Sequence, residues 1–289
     1  MDIQFYPSAI EFLSKAGKTL GRNEAKWGLI LGLAKIVADD PNRYGSADPW
    51  FCAALDSESL RAAAVRTPPY KVLLAHLSGD AAAIADELVE AVSRKERVIP
   101  GASGDKELAE KFAALWSEKK IVGIKTGFTV NQRIYKLTRV NDVPVSPGHF
   151  HQAIQADLPL IKQWADAFHK DTHGDERNSP ENDAAFYLSK GWVYLWIDDK
   201  PVSMAMKSRP TANGMAVGYV YTPPDLRGRG YASSCVAGLC RDILKSGYKF
   251  CTLYTNLANP VSNAIYMKIG FKPVGDSIDF TFEKTPERA

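Results

Sequence analysis

The sequence predicts an α+β (mixed α/β) protein of two tandem domains, residues 1–140 and 149–289, joined by 141–148. Two observations carry this prediction and a third locates the join. Apolar residues recur with helical and strand periods in one order in both halves: helix, helix, three strands, helix, strand, helix, two strands. Both halves also contain Thr-Pro-Pro, at Thr67–Pro69 and Thr222–Pro224. Order and tripeptide together hint at a duplicated unit; an unrelated α+β companion is the alternative. Asn141–Gly148 reads NDVPVSPG, with two prolines, a glycine and no period, the composition of a linker.

The elements follow in order. In the first half, helices are expected from Ser8 to about Lys18 and from Asn23 to Ala38, then strands at Phe51–Leu55, Leu60–Arg66 and Val72–Leu77. A helix over Ala81–Arg94, a short strand Val98–Ile99, a helix Lys106–Lys119 and strands near Ile121–Phe128 and Val130–Thr138 complete it. The second half opens with a strand, Phe150–Ile154. Asp157 then caps a helix to about His169, with Leu158, Ile161, Trp164, Ala165 and Phe168 at helical spacing. Pro180–Lys190 is a second helix, and Trp192–Ile197, Val202–Lys207 and Met215–Tyr221 are strands with tight connections. The next helix carries a stripe of Ala232, Cys235, Val236, Leu239, Cys240, Ile243 and Leu244, stopped by Gly247. After a strand at Phe250–Tyr254, Asn259 as N-cap and Pro260 as first residue open a short helix that Gly270 ends. Phe271–Val274 and Ile278–Glu283 finish as strands.

Composition excludes several classes. A net charge of +3 over 289 residues is too weak to argue for nucleic acid or an anionic membrane. No apolar run approaches the ~20 residues of a membrane span, and MDIQFYPSAI lacks the basic and apolar regions of a signal peptide. Cys52, Cys235, Cys240 and Cys251 form no Cys-x-x-Cys pair and read as reduced, buried residues of a cytoplasmic protein.

One junction stands out chemically. DLRGRGYASS, Asp225–Ser234, puts two glycines and two arginines between a strand and a helix. Bare backbone lets a ligand approach closely, and a helix N-terminus offers unpaired N–H groups at the positive end of a dipole. With Arg227 and Arg229 this makes an anion site suited to phosphate; a tight turn with two solvated arginines is the other reading. No Lys-Ser/Thr follows Gly230, so it is not a P-loop. Position six of a dinucleotide fingerprint is Ser233, and the next strand ends LYTN without an acid.

VYTPPDLRGRGYA, Val220–Ala232, resembles motif A of the GNAT superfamily of acyl-CoA N-acyltransferases, Gln/Arg-x-x-Gly-x-Gly/Ala, with Arg227, Gly230 and Ala232 at its named positions. NPVSNAIYMKIGF, Asn259–Phe271, is similar to the superfamily's closing pattern. The resemblance covers about His149–Glu283. It implies tandem GNAT-like domains, each a mixed, mostly antiparallel twisted sheet flanked by helices. The first half reads LAHLSGDAAA at the corresponding turn, without arginine or Gly-x-Gly, and has Trp116 where Tyr266 would fall, so it is expected to lack the CoA-binding motif.

The resemblance further implies acetyl-CoA as co-substrate. Its diphosphate would lie on the amides of Arg227, Gly228, Arg229, Gly230, Tyr231 and Ala232. Its pantetheine arm would pair with Gly218, Tyr219, Val220 and Tyr221, the thioester oxygen taking an N–H near Val220. Val217 and Val220 equally fit core packing. The family's tyrosine, which protonates the leaving thiolate, corresponds to Tyr266. Asn259, Ser262 and Tyr266 share one helix face, with Val261, Ile265 and Ile269 on the adjoining apolar face. Tyr266 also reads as a half-buried, hydrogen-bonded tyrosine, and capping alone explains Asn259. Glu176, Glu181 and Asp183 are candidate bases, though each reads first as a solvated surface acid. His169 and His173 at i, i+4, with His149 and His151, fall short of a metal site. Trp192, Tyr194 and Trp196 share a strand face and fit core or interface better than an acceptor pocket. The expected activity is acetyl transfer to a primary amine, small molecule or peptide, by direct attack through a tetrahedral intermediate. The alternative is a non-catalytic acyl-CoA-binding or substrate-recruiting module. A homodimer is compatible with either.

Overall fold

A computed structural model of the chain describes residues 1–45, 47–118, 124–173 and 180–284. The first half runs β1 (Asp2–Tyr6), α1 (Ala9–Leu20), α2 (Gly28–Asp39), β2 (Trp50–Asp56), β3 (Ser59–Arg66), β4 (Val72–His76), α3 (Ala81–Lys95), β5 (Gly101–Asp105), α4 (Lys106–Glu118) and β6 (Ile124–Leu137). The second runs β7 (His149–Gln152), α5 (Leu158–His173), α6 (Pro180–Ser189), β8 (Val193–Asp198), β9 (Lys200–Ser208), β10 (Gly214–Tyr221), α7 (Tyr231–Lys245), β11 (Phe250–Asn256), α8 (Pro260–Ile269) and β12 (Lys272–Lys284). Element for element, the two halves have one order.

Four expectations change. A strand, β1, precedes the first helix; its Ile3 and Phe5 alternate with exposed Asp2 and Gln4, the period of a half-buried strand. The second helix begins at Gly28 rather than Asn23, after a 3-10 turn at Gly21–Asn23. The strand expected at Val98–Ile99 lies instead at Gly101–Asp105, where GASGD has little strand propensity. Closeness explains its glycines: a Cβ at Gly101 would stand 2.0 Å from the Phe280 carbonyl oxygen, and one at Gly104 would stand 2.0 Å from that of Leu74. Each terminal pair of strands is a single strand, β6 and β12, running through Gly127 and Gly275. Ile121–Gly123 and Lys119, named in the sequence reading, lie outside the described residues.

The chain divides into two compact units: Met1–Ile134 with Thr255–Asn259 and Val274–Ala289, and Tyr135–Tyr254 with Pro260–Pro273. Strands of the first unit lie in the order β1-β2-β3-β4-β5-β12-β6. β1 to β4 pair antiparallel, β4 and β5 parallel, and β5 and β12 antiparallel. Its core has two faces. Ile84, Leu88, Leu108, Phe112 and Trp116 of α3 and α4 pack with Cys52, Ala54, Ile278 and Phe282. Phe12, Leu20 and Ile30 of α1 and α2 pack with Phe51, Ala53 and Val65. β2 thus sends alternate side chains to opposite faces, as a strand must.

In the second unit the order is β11-β10-β9-β8-β7, parallel between β10 and β11 and antiparallel elsewhere. The apolar stripe of α7, Cys235, Val236, Leu239 and Ile243, covers one face with Met215, Val217 and Leu253. α5 and α6 cover the other, packing Ile161, Trp164, Tyr187 and Leu188 on Met204, Met206 and Tyr221. Tyr194 and Trp196 belong to the α7-side core, their polar tips satisfied: Tyr194 Oη donates to Asp242 Oδ2 at 3.0 Å and Trp196 Nε1 to the Pro147 carbonyl at 2.7 Å. The segment 141–148 has no regular structure but is fastened: Val143 is buried, and the Asn141 N–H donates to the Ile269 carbonyl at 2.8 Å. All four cysteines are free and buried. Among the described residues no helix is long and apolar enough to cross a membrane, and no group of three His, Cys, Asp or Glu side chains could hold a metal ion.

Candidate active site

The site begins where β10 parts from its neighbours. Its parallel pairing with β11 covers Gly214–Ala216 against Phe250–Thr252, while β10 runs on to Tyr221. On the β9 side the register slips: Gly218 faces Met206 but Tyr221 faces Met204, so β10 carries a bulge at Tyr219 and Val220. Tyr219 sits at φ +49°, the left-handed region, which costs a bulky residue ~1–2 kcal/mol. The bulge sorts the side chains. Val217 and Val220 pack on the α7 side, Val217 fully buried, whereas Tyr219 and Tyr221 pack on the α5–α6 side. There the Tyr219 ring lies 5.2 Å from Phe168 and 5.8 Å from Tyr187, and its hydroxyl donates to Asp183 Oδ2 at 2.9 Å.

A 3-10 turn at Pro224–Leu226 leads into the glycine loop. Gly228 and Gly230 both take φ +80°, open to glycine at no steric cost. A Cβ on Gly228 would meet nothing within 4 Å. Gly230 is the N-cap of α7 and supplies no side-chain cap, so the first-turn amides have no capping oxygen of their own. The same turn in the first half is sealed: the N-cap of α3 is Asp80, whose Oδ1 accepts from the Ala82 N–H at 2.8 Å. Ser146 braces the loop, its Oγ donating to the Arg229 carbonyl and its N–H to Ser234 Oγ, both at 2.9 Å.

The loop's side chains are engaged. Arg227 donates from Nε to the Thr222 carbonyl at 3.0 Å and from Nη2 to Asp171 Oδ2 at 2.6 Å, with its guanidinium 5.9 Å from the Tyr221 ring. Arg229 reaches the Asp225 carbonyl at 3.4 Å. Buried Tyr231 donates its hydroxyl to Asp198; that hydrogen bond, before burial, raises its pKa by favouring the protonated phenol. Ala232 follows, half-buried.

α8 faces the core differently from the expectation. Val261 is 67% exposed rather than packed, because Asn263, Ile265, Tyr266 and Ile269 form the inward side. Buried Asn263 accepts from the Tyr135 hydroxyl at 2.9 Å. Ser262 is half-buried on the turn before Tyr266. The Tyr266 ring lies 5.9 Å from Phe271, and among the described residues its hydroxyl makes no hydrogen bond. Burial first, and the neighbouring Cys240 second, push its pKa well above the usual phenol range. Tyr266, Val220 and Tyr231 thus share one apolar cluster, while Asn259 groups with the first unit. Glu176 and the side chains of Glu181 and His173 lie outside the described residues. Sequence reasoning missed Asp171 and Asp198, which carry no local pattern.

The model of the FR47-like protein family matches residues 197–277. No curated protein matches the chain. Among solved structures, a Drosophila protein superposes with a TM-score of 0.68 at 14% identity over 98% of this chain and 99% of its own. A GCN5-related N-acetyltransferase from Sphaerobacter thermophilus gives 0.60 at 12% identity, covering 98% of this chain and 96% of that one. A tandem GNAT protein from the clavulanic acid biosynthesis pathway gives 0.53 at 11% identity with both chains fully covered (100% and 100%). The chain has the tandem GNAT fold of these structures.

Proposed function

We propose that the chain is an N-acetyltransferase that moves an acetyl group from acetyl-CoA to a primary amine by direct attack. The carrying observation is the contrast between two equivalent turns: α3 is sealed by the Asp80 carboxylate, whereas α7 opens on Gly230 without a side-chain cap. An outside anion suits the second turn, and the open space over Gly228 leaves room for it. In this reading the chain is two repeats, 1–140 and 149–289, of which only the second binds coenzyme. The amides of Arg227–Ala232 hold the diphosphate, and the β10 edge at Gly218–Tyr221 holds the pantetheine arm with Ser262 beside it. The Val220 N–H faces the thioester oxygen. The coenzyme supplies an activated acyl thioester.

Tyr266 is the proton source for the departing thiol. The phenol is protonated at neutral pH, and burial raises thiols as well as phenols, as it does at Cys235. A leaving thiolate in the same apolar surroundings therefore gains proton affinity alongside the phenol. The test is thermal. Acetyl-CoA at 100-fold its dissociation constant stabilises the fold by ~2.7 kcal/mol, with thiol release in the presence of an amine. No melting shift with acetyl-CoA, or a shift as large with an oligonucleotide, overturns the reading.

A further inference from the structure

We propose that the outward face of α8 is a docking surface for an acidic amphipathic helix of a partner protein. The acetyl-transfer reading leaves this face unused, and docking there does not depend on it. The sequence of the region carries charge of one sign. From Ile243 to Gly275 there is no aspartate or glutamate, while Lys245, Lys249, Lys268 and Lys272 fall within the stretch. It spans the end of α7, β11, all of α8 and the start of β12. α8 itself has two sides. Asn263, Ile265, Tyr266 and Ile269 turn inward. Val261, Ala264 and Met267 follow at i, i+3 and i+6, with Lys268 at i+7, and lie on the other side. There Val261 is 67% and Met267 51% exposed, and Ala264 and Lys268 are exposed with them. A single exposed apolar residue is ordinary, but three on successive turns of one helix face form a stripe.

Cations stand where the stripe ends. Gly270 closes α8 against the Arg139 backbone: a Cβ there would stand 2.8 Å from the Arg139 carbonyl oxygen. Arg139, Lys268 and Lys272 are all exposed around this contact, and Asp142 is the one acid between Tyr135 and Val143. The C-terminal dipole of α8 accounts for Lys268, but Arg139 and Lys272 lie outside the helix. Stripe and charge together define the partner. The stripe needs apolar side chains at matching helical spacing, and the cations need carboxylates beside them; one amphipathic helix laid along α8 supplies both. Methionine suits such a contact because its thioether is flexible and polarizable. A second copy of this chain fits badly, since a two-fold contact would set the cations of one copy near the same cations of the other. Nucleic acid would leave Val261 and Met267 unused and would need exposed rings to stack on, which α8 lacks. A membrane interface favours Trp and Tyr, and the stripe has neither.

The experiment titrates the full chain into a fluorescent peptide of ~18 residues, long enough to hold a helix, with leucines at i, i+3 and i+7 and glutamates between them. Anisotropy is compared with that of a scrambled peptide of the same composition. The designed peptide should bind saturably and about tenfold or more tightly than the scrambled one, the effect of seating its leucines on the stripe. Its affinity should fall as salt rises from ~50 to ~500 mM. The paired substitutions Val261→Ser with Met267→Ser should weaken it about tenfold by removing apolar contact. Arg139→Glu with Lys272→Glu should weaken it at least as much by setting like charges together. Both pairs change only exposed side chains, and the comparison of the two peptides in the unaltered chain stands without them. No saturable binding, equal affinity for the scrambled peptide, or unchanged affinity in both paired variants overturns the proposal. So does displacement of the peptide by phosphatidylserine vesicles or by a duplex oligonucleotide at lower concentration than by the unlabelled peptide, which would make the face a lipid or nucleic-acid surface instead.

Discussion

In the proposed reaction Tyr266 is the proton donor, and burial, which raises its pKa, favours the protonated phenol. Removing its hydroxyl in Tyr266→Phe leaves the ring packing on Phe271 in place, so the fold and the acetyl-CoA melting shift should survive. Turnover should fall ~100-fold, the low end for a lost general acid; a kcat unchanged in single-turnover thiol release would remove the tyrosine from the chemistry. The pH dependence has a definite sign. A phenol raised above its usual ~10 stays protonated through pH 10, so kcat should show no alkaline loss that Tyr266→Phe abolishes. The cysteines give the matching stability effect. Burial pushes Cys52 up to about 12, so the folded state holds a proton that the unfolded thiol releases near pH ~8.5. Stability from this group is complete below ~8.5 and lost as pH rises toward 12. Urea midpoints at pH 8 and 10.5 should therefore differ less in Cys52→Ala than in the parent chain.

At the scale of elements, α3 and α7 are two versions of one device, and their caps predict opposite consequences. Asp80→Ala should cost ~1 kcal/mol, the worth of a side-chain cap, and leave acetyl-CoA affinity unchanged. Gly228→Ala should cost a similar ~1–2 kcal/mol, because φ +80° opposes any Cβ. Unlike the first variant, it should weaken acetyl-CoA by tenfold or more, since that Cβ projects into open space over the loop. Melting curves with and without acetyl-CoA separate the two, and equal ligand shifts in both variants would remove the loop from coenzyme binding. The loop and helix were legible in the sequence because glycine pattern and helix stripe are local: Gly228 and Gly230 form the turn before α7, and the Cys235–Ile243 face is buried. Elements whose cause is tertiary were not. β5 is a strand because Gly101 and Gly104 fit against Phe280 and Leu74, a closeness no propensity records. Tyr219 reads as an ordinary strand residue, since a bulge is set by register against β9. Val261 fits the apolar spacing of α8 but lies outward, because Asn263 takes the buried position to meet Tyr135.

The whole molecule adds a constraint that neither half shows alone. The repeat boundary and the compact units do not coincide: β12 closes the second repeat in sequence, yet Val274 onward belongs to the first unit. There Ser277–Thr281 pairs with Gly101–Asp105, Ile278 and Phe282 enter the core, and Phe282 stacks 6.4 Å from Trp116. Arg133 Nε donates to Asp276 Oδ1 at 2.8 Å, and Lys71 pairs with Asp279. Burying an isoleucine and a phenylalanine is worth ~1.5–3 kcal/mol each, and the cavity left by their removal adds to the loss. The ladder on one side of β5 goes with them. Against a total stability of ~5–15 kcal/mol for a whole domain, that loss is decisive. A fragment of residues 1–140 should therefore lack a cooperative thermal transition by circular dichroism. Co-expression with residues 149–289 should restore one, whereas co-expression with 149–273 should not. A fragment 1–140 that melts cooperatively within a few degrees of the full chain would mean that the first unit does not need the last strand, and that the two repeats are separable in folding as they are in sequence.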